Sequence, residues 1–289
     1  MTSDQQEEML VQAAGAQPTA FVTGASRGIG AQTCLALAAA GWDVALGYEA
    51  KTKRVREVAA RIERLGGRST TIGGDLTDPH DRTRFAGEVR AWTPHLAALV
   101  LNASGGLDQS GIEGRPANAL TTAQVDLATA FANALAPGGT IVYVTSHWAH
   151  LNAAANPVPR QYHELAANKH HTERALRNMQ PWLLAPSRAI RLIVVTGGLV
   201  TGTFIGDQTV RRFPEFASEQ AAIANVVTAE QMGGRIARVI GDSSLPSGHT
   251  EVVGAPLAAL SRAGRANGSR RLRARTRSSL SLPTSPYEH

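Results

Sequence analysis

Short apolar runs alternate along the chain with longer stretches of helical pattern. Seven of the runs are rich in β-branched or aliphatic residues, as buried strands are. They are TAFVTG (19–24), WDVALGY (42–48), RSTTIGGDL (68–76), LAALVLNAS (96–104), GTIVYVTS (139–146), AIRLIVVTGG (189–198) and TEVVGA (250–255). Apolar strands that alternate with helices indicate a parallel sheet covered on both faces. The pattern therefore predicts an α/β fold with a doubly wound, mainly parallel seven-stranded sheet.

The length of the chain and the position of its polar stretches predict one domain with irregular ends. A chain of 289 residues can bury one large core, which we expect over residues 18–257. Residues 1–17 are predicted to be a flexible N-terminus, and residues 258–289 an Arg- and Ser-rich disordered tail. Residues 199–232 follow the sixth strand, where a doubly wound sheet presents its ligand edge. They are predicted to form a substrate lid.

The net charge of +6 does not indicate a nucleic-acid partner, because it is confined to the tail. From residue 258 onward there are seven arginines and one acid, Glu288, so the rest of the chain is close to neutral. No apolar run is long enough to span a membrane, and the polar N-terminus does not resemble a secretory signal. The lone cysteine, Cys34, cannot form an internal disulfide. We expect a cytoplasmic protein with no specific nucleic-acid partner and no membrane partner.

The segment TGASRGIG (23–30) carries the strongest chemical signal in the sequence. It places Gly24, Gly28 and Gly30 directly after a predicted strand and directly before a helix. Glycines let the backbone turn sharply and approach a pyrophosphate, and the helix N-terminus supplies free N–H groups. Glycines also serve ordinary turns, but the strand–turn–helix context favours a dinucleotide site.

From about Thr19 to Ala255 the chain resembles the short-chain dehydrogenases/reductases, and TGASRGIG is similar to the cofactor fingerprint of that family. The resemblance implies a Rossmann-like fold and an NAD(P)-dependent oxidoreductase. Such an enzyme moves a hydride between nicotinamide and a small-molecule carbonyl or alcohol substrate. The family's assembly implies a homodimer or homotetramer, and no metal site is expected. The cofactor-binding residues that it implies are Gly24, Ser26, Arg27, Gly28, Ile29, Gly30, Asp75, Leu76, Asn102 and Lys169.

The choice between NADP and NAD depends on the end of the second strand. An acid there would bond the ribose hydroxyls of NAD and repel a 2′-phosphate. Here the position is Tyr48, followed by Glu49 and Lys51, and Arg27 can bind a phosphate through two hydrogen bonds. NADP is predicted, while Glu49 leaves NAD as an alternative.

The same resemblance implies Ser146, Tyr162 and Lys169 as catalytic residues, but their spacing departs from the family's. There the lysine follows the tyrosine by four residues, about 6 Å along one helix face. Here seven residues separate them, about 10.5 Å along a continuous helix, and the residue four before Lys169 is Leu165. Tyr162 can still reach Ser146 if it lies in a loop before the helix.

Three histidines and one aspartate widen the range of chemistry that the sequence allows. His147, His150 and His163 are alternative proton carriers, because imidazole titrates near neutral pH. Asp126 stands where the family commonly has an asparagine that positions a water molecule. A non-redox relative that catalyses cyclisation, elimination or isomerisation, and a cofactor-binding regulator, are therefore kept as alternative functions.

Overall fold

The structure is a computed structural model that describes residues 17–94, 96–104, 119–150, 162–223 and 225–254. The predicted tail and nearly all of the predicted flexible N-terminus lie outside these residues. None of the described helices is long and apolar enough to cross a membrane.

The described elements follow the predicted alternation of strands and helices. In chain order they are β1 (Thr19–Val22), α1 (Gly28–Ala39), β2 (Asp43–Tyr48), α2 (Thr52–Arg64), β3 (Ser69–Gly73), α3 (Pro79–Trp92), β4 (Leu96–Leu101), α4 (Ala119–Ala132), β5 (Thr140–Ser146), α5 (His147–His150), α6 (His163–Asn178), α7 (Gln180–Leu183), β6 (Arg191–Gly197), β7 (Val200–Thr201), α8 (Phe204–Arg212), α9 (Pro214–Ile223), β8 (Val227–Thr228), α10 (Ala229–Gly241) and β9 (Thr250–Val253).

Seven of the strands form one parallel sheet in the order β3-β2-β1-β4-β5-β6-β9. Val22 of β1 lies beside Leu46 of β2 on one side and Val100 of β4 on the other. The strand order therefore changes direction between β1 and β4, which opens a crevice at the carboxyl ends of these two strands. The predicted fold class is confirmed.

The apolar strands bury side chains on both faces of the sheet. Ala20 and Val22 point into one cluster with α1 and α10, whereas Phe21 points into the other with α3, α4 and α6. Phe21 stacks on Phe131 of α4, with their ring centroids 4.9 Å apart. Burial of both faces explains why the strands lack an alternating polar pattern. It also holds the loops at the carboxyl edge on a rigid base.

The segment predicted as a lid contains regular structure. It leaves the sheet through β7 and returns through β8, which pair in parallel with Val200 beside Val227. Helices α8 and α9 lie between these two strands. The segment then enters α10, which packs closely on α1, because a Cβ at Gly233 would lie 2.5 Å from the carbonyl carbon of Gln32. Both ends of the segment are therefore anchored on the main domain.

Candidate active site

A cleft of about 480 Å³ opens at the crevice between β1 and β4 and extends past the ends of β5 and β6. The glycine segment forms one wall, the end of β5 and helix α6 form another, and α8 covers part of the opening. The cleft lies where open α/β sheets bind their ligands. We therefore take it as the candidate active site.

The backbone of the glycine segment (residues 24–30), here called the cradle, turns too tightly for side chains at its glycines. Gly24 and Gly28 have φ values of 66° and 56°, in the left-handed region that favours glycine. A Cβ at Gly30 would lie 2.3 Å from the carbonyl oxygen of Gly24 and 2.6 Å from Nδ2 of Asn102. Helix α1 begins at Gly28, so its first N–H groups face the cleft wall. A close backbone approach at a helix N-terminus fits the pyrophosphate of a dinucleotide.

Thr23 and Asn102 connect the glycine segment to the end of β4. The Thr23 hydroxyl donates to Val100 O over 3.1 Å and accepts the backbone N–H groups of Asn102 and Ala103, each at 3.0 Å. Nδ2 of Asn102 donates to the Thr23 carbonyl oxygen at 3.0 Å. These bonds hold the two strand ends together, so Asn102 positions the cradle as well as lining the cleft.

The predicted acid Asp75 and its neighbour Leu76 lie at the end of β3, on the same cleft wall. The Asp75 backbone N–H donates to Asp81 over 2.7 Å, and Oδ1 of Asp75 accepts both the backbone N–H and the hydroxyl of Thr77 at 2.8 Å. This turn fixes the Asp75 carboxylate at the edge of the cleft. Leu76 packs its partly buried side chain against the core cluster that contains Phe21.

Positively charged groups lie at the end of the cleft next to β2. Arg27 and Lys51 both line it, together with Tyr48 and Glu49 at the end of β2. The Arg27 guanidinium lies over the ring of Phe204 on α8, 4.9 Å from its centroid. The segment predicted as a lid thus contacts the glycine segment directly.

Ser146 and Lys169 reach the cleft from different elements. Ser146 ends β5, and its Oγ accepts the backbone N–H of Ala149 over 3.3 Å. Nζ of Lys169, in the second turn of α6, donates to Val144 O over 3.0 Å. Burial lowers the pKa of Lys169 to about 8. The site therefore joins a hydroxyl to an amine whose charge changes near neutral pH.

Tyr162 is not brought into the cleft. It lies just before α6 with its side chain 1% exposed, packed among Trp148, Phe213 and Phe216. Its hydroxyl is 2.6 Å from Oγ1 of Thr209 on α8. The side chain that lines the cleft one turn before Lys169 is Leu165, an aliphatic residue.

The three histidines differ in their surroundings. His147 is buried, its two ring nitrogens have no hydrogen-bond partner within the described part of the chain, and burial and the nearby His150 lower its pKa to about 4. Nδ1 of His150 bonds to Glu173 at 2.9 Å. His163 is exposed at the start of α6. None of the three is among the described residues that line the cleft.

Asp126 also points away from the cleft. Its carboxylate pairs with Arg82 of α3 at 2.7 Å, on a half-exposed face of α4. Gln124, two residues earlier, is buried and donates from Nε2 to the Ala103 carbonyl oxygen. Asp126, which stands where the family commonly has an asparagine, therefore links α4 to α3 through an ion pair.

The cleft brings together all but two of the predicted site residues. Those that line it are Gly24, Ser26, Arg27, Gly28, Ile29, Asp75, Leu76, Asn102, Ser146 and Lys169. Gly30 lies behind the cradle, and Tyr162 lies in the aromatic cluster. The sequence analysis did not identify Trp148 and Ile205, which also line the cleft. A tryptophan two residues after a predicted catalytic serine was the available signal.

Comparison with known proteins gives a family match over most of this structure. The sequence profile of the short chain dehydrogenase family matches residues 18–212. A short chain dehydrogenase from Burkholderia cenocepacia J2315, solved in complex with NADP, is 28% identical to this chain. The two structures have a TM-score of 0.66, with 83% of this chain and 98% of that chain covered.

Curated relatives match over shorter segments. An uncharacterized oxidoreductase of Escherichia coli (strain K12), YgfF, is 37% identical over 84 residues, which are 29% of this chain and 34% of the relative. The L-rhamnose 1-dehydrogenase (NAD(P)(+)) of Sphingomonas sp. (strain SKA58) is 34% identical over 85 residues, again 29% and 34% of the two lengths. The chain thus matches about a third of the length of these relatives.

Proposed function

Because this chain belongs to the short chain dehydrogenase family of oxidoreductases, we propose that it is an NADP-dependent enzyme that interconverts a carbonyl compound and an alcohol. One observation carries the proposal. A glycine cradle at a helix N-terminus shares a single cleft with Ser146 and Lys169. A nucleotide held by the cradle would therefore lie within the same enclosure as two groups that can bind a substrate oxygen and a ribose.

The residues at the carboxyl edge of the sheet fit a nicotinamide dinucleotide. The cradle from Gly24 to Gly30 and the first N–H groups of α1 would hold the phosphates. Asp75 and Leu76 would frame the adenine side, and Asn102 keeps the cradle in place. When bound, the nicotinamide supplies the hydrogen and the two electrons that a carbonyl carbon gains on reduction.

On the substrate side, Ser146 would donate its hydroxyl proton in a hydrogen bond to the substrate oxygen. Its Oγ accepts from Ala149, and no acceptor among the described residues takes its proton. Lys169 would bond the nicotinamide ribose with an N–H that Val144 does not use. For Tyr162 to donate a proton here, as the sequence predicts, its bond to Thr209 would have to break.

The charges at the end of β2 favour NADP over NAD. Arg27 and Lys51 line the cleft there, and Tyr48 stands where an acid would repel a 2′-phosphate. The NADP complex of the Burkholderia cenocepacia relative supports the same choice. Glu49, beside Tyr48, leaves NAD as the alternative cofactor.

Several further properties belong to the same proposal. The substrate would be a small carbonyl or alcohol compound, with residues 199–232 acting as its lid. We also propose a cytoplasmic enzyme that forms a homodimer or homotetramer, as the family resemblance implies.

Titration of the protein with NADPH and NADH, followed by nicotinamide fluorescence, tests the cofactor assignment. We expect tighter binding of NADPH, and we expect Arg27→Ala to weaken NADPH by about tenfold or more while changing NADH little, since only NADPH carries the 2′-phosphate. Equal weakening of both nucleotides would contradict the assignment of Arg27 to that phosphate.

Turnover is then followed at the nicotinamide absorbance with cyclohexanone, acetophenone, ethyl acetoacetate and phenanthrenequinone. Ser146→Ala should lose about 100-fold or more of kcat with any active ketone, because it removes the donor to the substrate oxygen. Failure of both nucleotides to bind would reject the proposed function.

A second candidate function follows from the position of the phenol. Tyr162 is bonded to Thr209, and Leu165 offers no hydroxyl one turn before Lys169. A non-redox enzyme, which holds the dinucleotide structurally, would need no phenolic acid at that place. Tight binding of NADPH, without oxidation of NADPH by any of the four carbonyl compounds, would favour the non-redox function.

A further inference from the structure

The wall of the cleft formed by β5, α5 and α6 contains one ionisable side chain among the residues that the structure describes there. Six of the seven lining residues of this wall cannot release a proton near neutral pH: Val144, Thr145, Ser146, Trp148, Leu165 and Ala166. The seventh is Lys169. Lys169 is therefore the first candidate for the group that protonates a carbonyl oxygen reduced at this wall.

The expected salt-bridge partner of Lys169 is engaged elsewhere. Glu173 lies four residues further along α6, at the spacing that pairs acids with lysines on one helix face. Its carboxylate instead bonds to Nδ1 of His150 and to Nε of Arg177, each at 2.9 Å. The Lys169 ammonium donates to the neutral carbonyl of Val144. No carboxylate within the described residues stabilises its charge, and burial lowers its pKa to about 8.

The other titratable groups near this part of α6 have different partners or are buried in neutral form. Nδ1 of His170 lies 3.0 Å from the Ala149 carbonyl oxygen. The Tyr143 hydroxyl donates to the Lys169 carbonyl oxygen at 3.3 Å, and burial raises the pKa of that phenol. His147 is neutral near pH 7, since its pKa is lowered to about 4.

On the neighbouring α4, Asp126 is paired with Arg82. Tyr162, the remaining phenol of this region, is closed off from the cleft. The Thr209 hydroxyl donates its single proton to Ile205 O over 2.8 Å, so the phenol must be the donor in the Tyr162–Thr209 bond. The proton that Tyr162 would need for catalysis is therefore engaged in holding α8.

We propose that Lys169 itself is the general acid of this site and gives its ammonium proton to the substrate oxygen that Ser146 binds. The inference rests on the proposed carbonyl reduction. As the carbonyl carbon gains its hydrogen from the reduced nicotinamide, the C=O π bond breaks, and an N–H bond of Lys169 breaks as the new O–H bond forms. Lysine becomes a neutral amine, which regains its proton from water. In the reverse direction the neutral amine accepts the alcohol proton.

A direct titration of Lys169 tests the inference without turnover. The chain contains three lysines, Lys51, Lys53 and Lys169. Protein with ¹³C at the lysine Cε therefore gives three NMR signals, and the one missing from Lys169→Arg belongs to Lys169. We expect this signal to titrate near pH 8, well below the ordinary value of about 10.4 for a lysine in water. A Lys169 signal that titrates at the ordinary value would overturn the proposal.

The pH dependence of turnover provides the second readout. The ammonium must be protonated to act, so kcat/KM for the ketone should be level below about pH 8 and fall about tenfold per pH unit above it. Lys169→Arg keeps the positive charge but cannot release a proton in this range. It should lose about 100-fold or more of kcat, with NADPH binding changed less than about tenfold. Lys53→Arg, the same change at an exposed position, is the matched control.

The outcomes separate this proposal from the proposed function. Retention of most of kcat in Lys169→Arg, or collapse of kcat in Tyr162→Phe with NADPH binding intact, would overturn Lys169 as the acid and leave the reductase in place. NADPH binding with no ketone reduced by the wild type would also overturn it. Failure of the wild type to bind NADPH would instead reject the proposed function.

Discussion

The Tyr162 hydroxyl donates to Thr209 across 2.6 Å, and this bond joins the start of α6 to the middle of α8. Tyr162→Phe should lower the free energy of unfolding by about 1 kcal/mol, because one buried hydrogen bond is lost while Thr209 keeps its own bond to Ile205. Urea denaturation measures the change.

Thr209→Val completes a double-mutant cycle for this pair. The double variant should be hardly less stable than the worse single variant, since both changes remove the same bond. Fully additive effects would show that the hydroxyl pair is not coupled. The same Tyr162→Phe protein decides whether Tyr162 acts as the proton donor that the sequence predicts.

A methyl group at position 30 should weaken nucleotide binding strongly. The Cβ of Gly30→Ala would lie 2.3 Å from the Gly24 carbonyl oxygen, so the backbone of the cradle must move. We expect NADPH affinity to fall by about 100-fold or more, because the phosphates are bound by that backbone. Isothermal titration with NADPH checks it.

Gly87→Ala and Gly234→Ala are matched controls for this change. Both glycines lie within helices, and a Cβ at either position meets nothing within 4 Å. Each replacement should leave binding unchanged and raise stability by up to about 1 kcal/mol, as alanine is the better helix former. A similar loss of affinity in the controls would mean that the cradle is not the cause.

Leu165→Tyr should add a phenol to the cleft one helical turn before Lys169. The neighbouring ammonium would favour the phenolate and bring the phenol into the range of general-acid chemistry. We expect kcat for ketone reduction to rise by about tenfold. Leu165→Phe, which adds the ring without the hydroxyl, is the control. Equal rates for the two variants would show that proton donation does not limit turnover.

Glu173 should make the fold sensitive to acid. Burial raises the pKa of Glu173, but the hydrogen bonds and charges of His150 and Arg177 lower it by more. The net pKa therefore lies below its ordinary value. A lowered folded-state pKa contributes stability above the unfolded value of about 4.3, and this contribution is lost as the pH falls through the folded pKa.

Urea denaturation of the wild type and Glu173→Gln tests this dependence. At neutral pH the variant should be less stable by about 3 kcal/mol, since it leaves the largely buried guanidinium of Arg177 without its carboxylate partner. The difference should shrink as the pH falls below the unfolded value of about 4.3 and through the lowered pKa of Glu173. A difference that stays constant with pH would show that packing, rather than charge, explains the loss.

The fold was readable from the sequence because its signals are local. The five inner strands of the main sheet are largely buried apolar runs. The three glycines of residues 24–30 predict a tight turn, and the positive φ values of Gly24 and Gly28 confirm it. Burial on both sheet faces leaves no alternative arrangement for such runs.

The surroundings of the candidate catalytic residues were not readable in this way. Thr209, the partner of Tyr162, lies 47 positions further along the chain. The spacing along α6 predicts which residues share a helix face. It does not predict that Glu173 bonds to His150 rather than to Lys169. Such pairings depend on how α5, α6 and α8 pack, and therefore on tertiary contacts that periodicity does not contain.

The short parallel pair of β7 and β8 has a consequence for how this protein changes over evolution. The segment between them leaves and rejoins the domain at one point, with Thr201 beside Thr228. Its length and sequence can be exchanged at little entropic cost, since closing a longer loop costs only about 0.6 kcal/mol per doubling. Under the proposed lid role, exchange of this segment would change the substrate range while the glycine segment and the sheet stay the same.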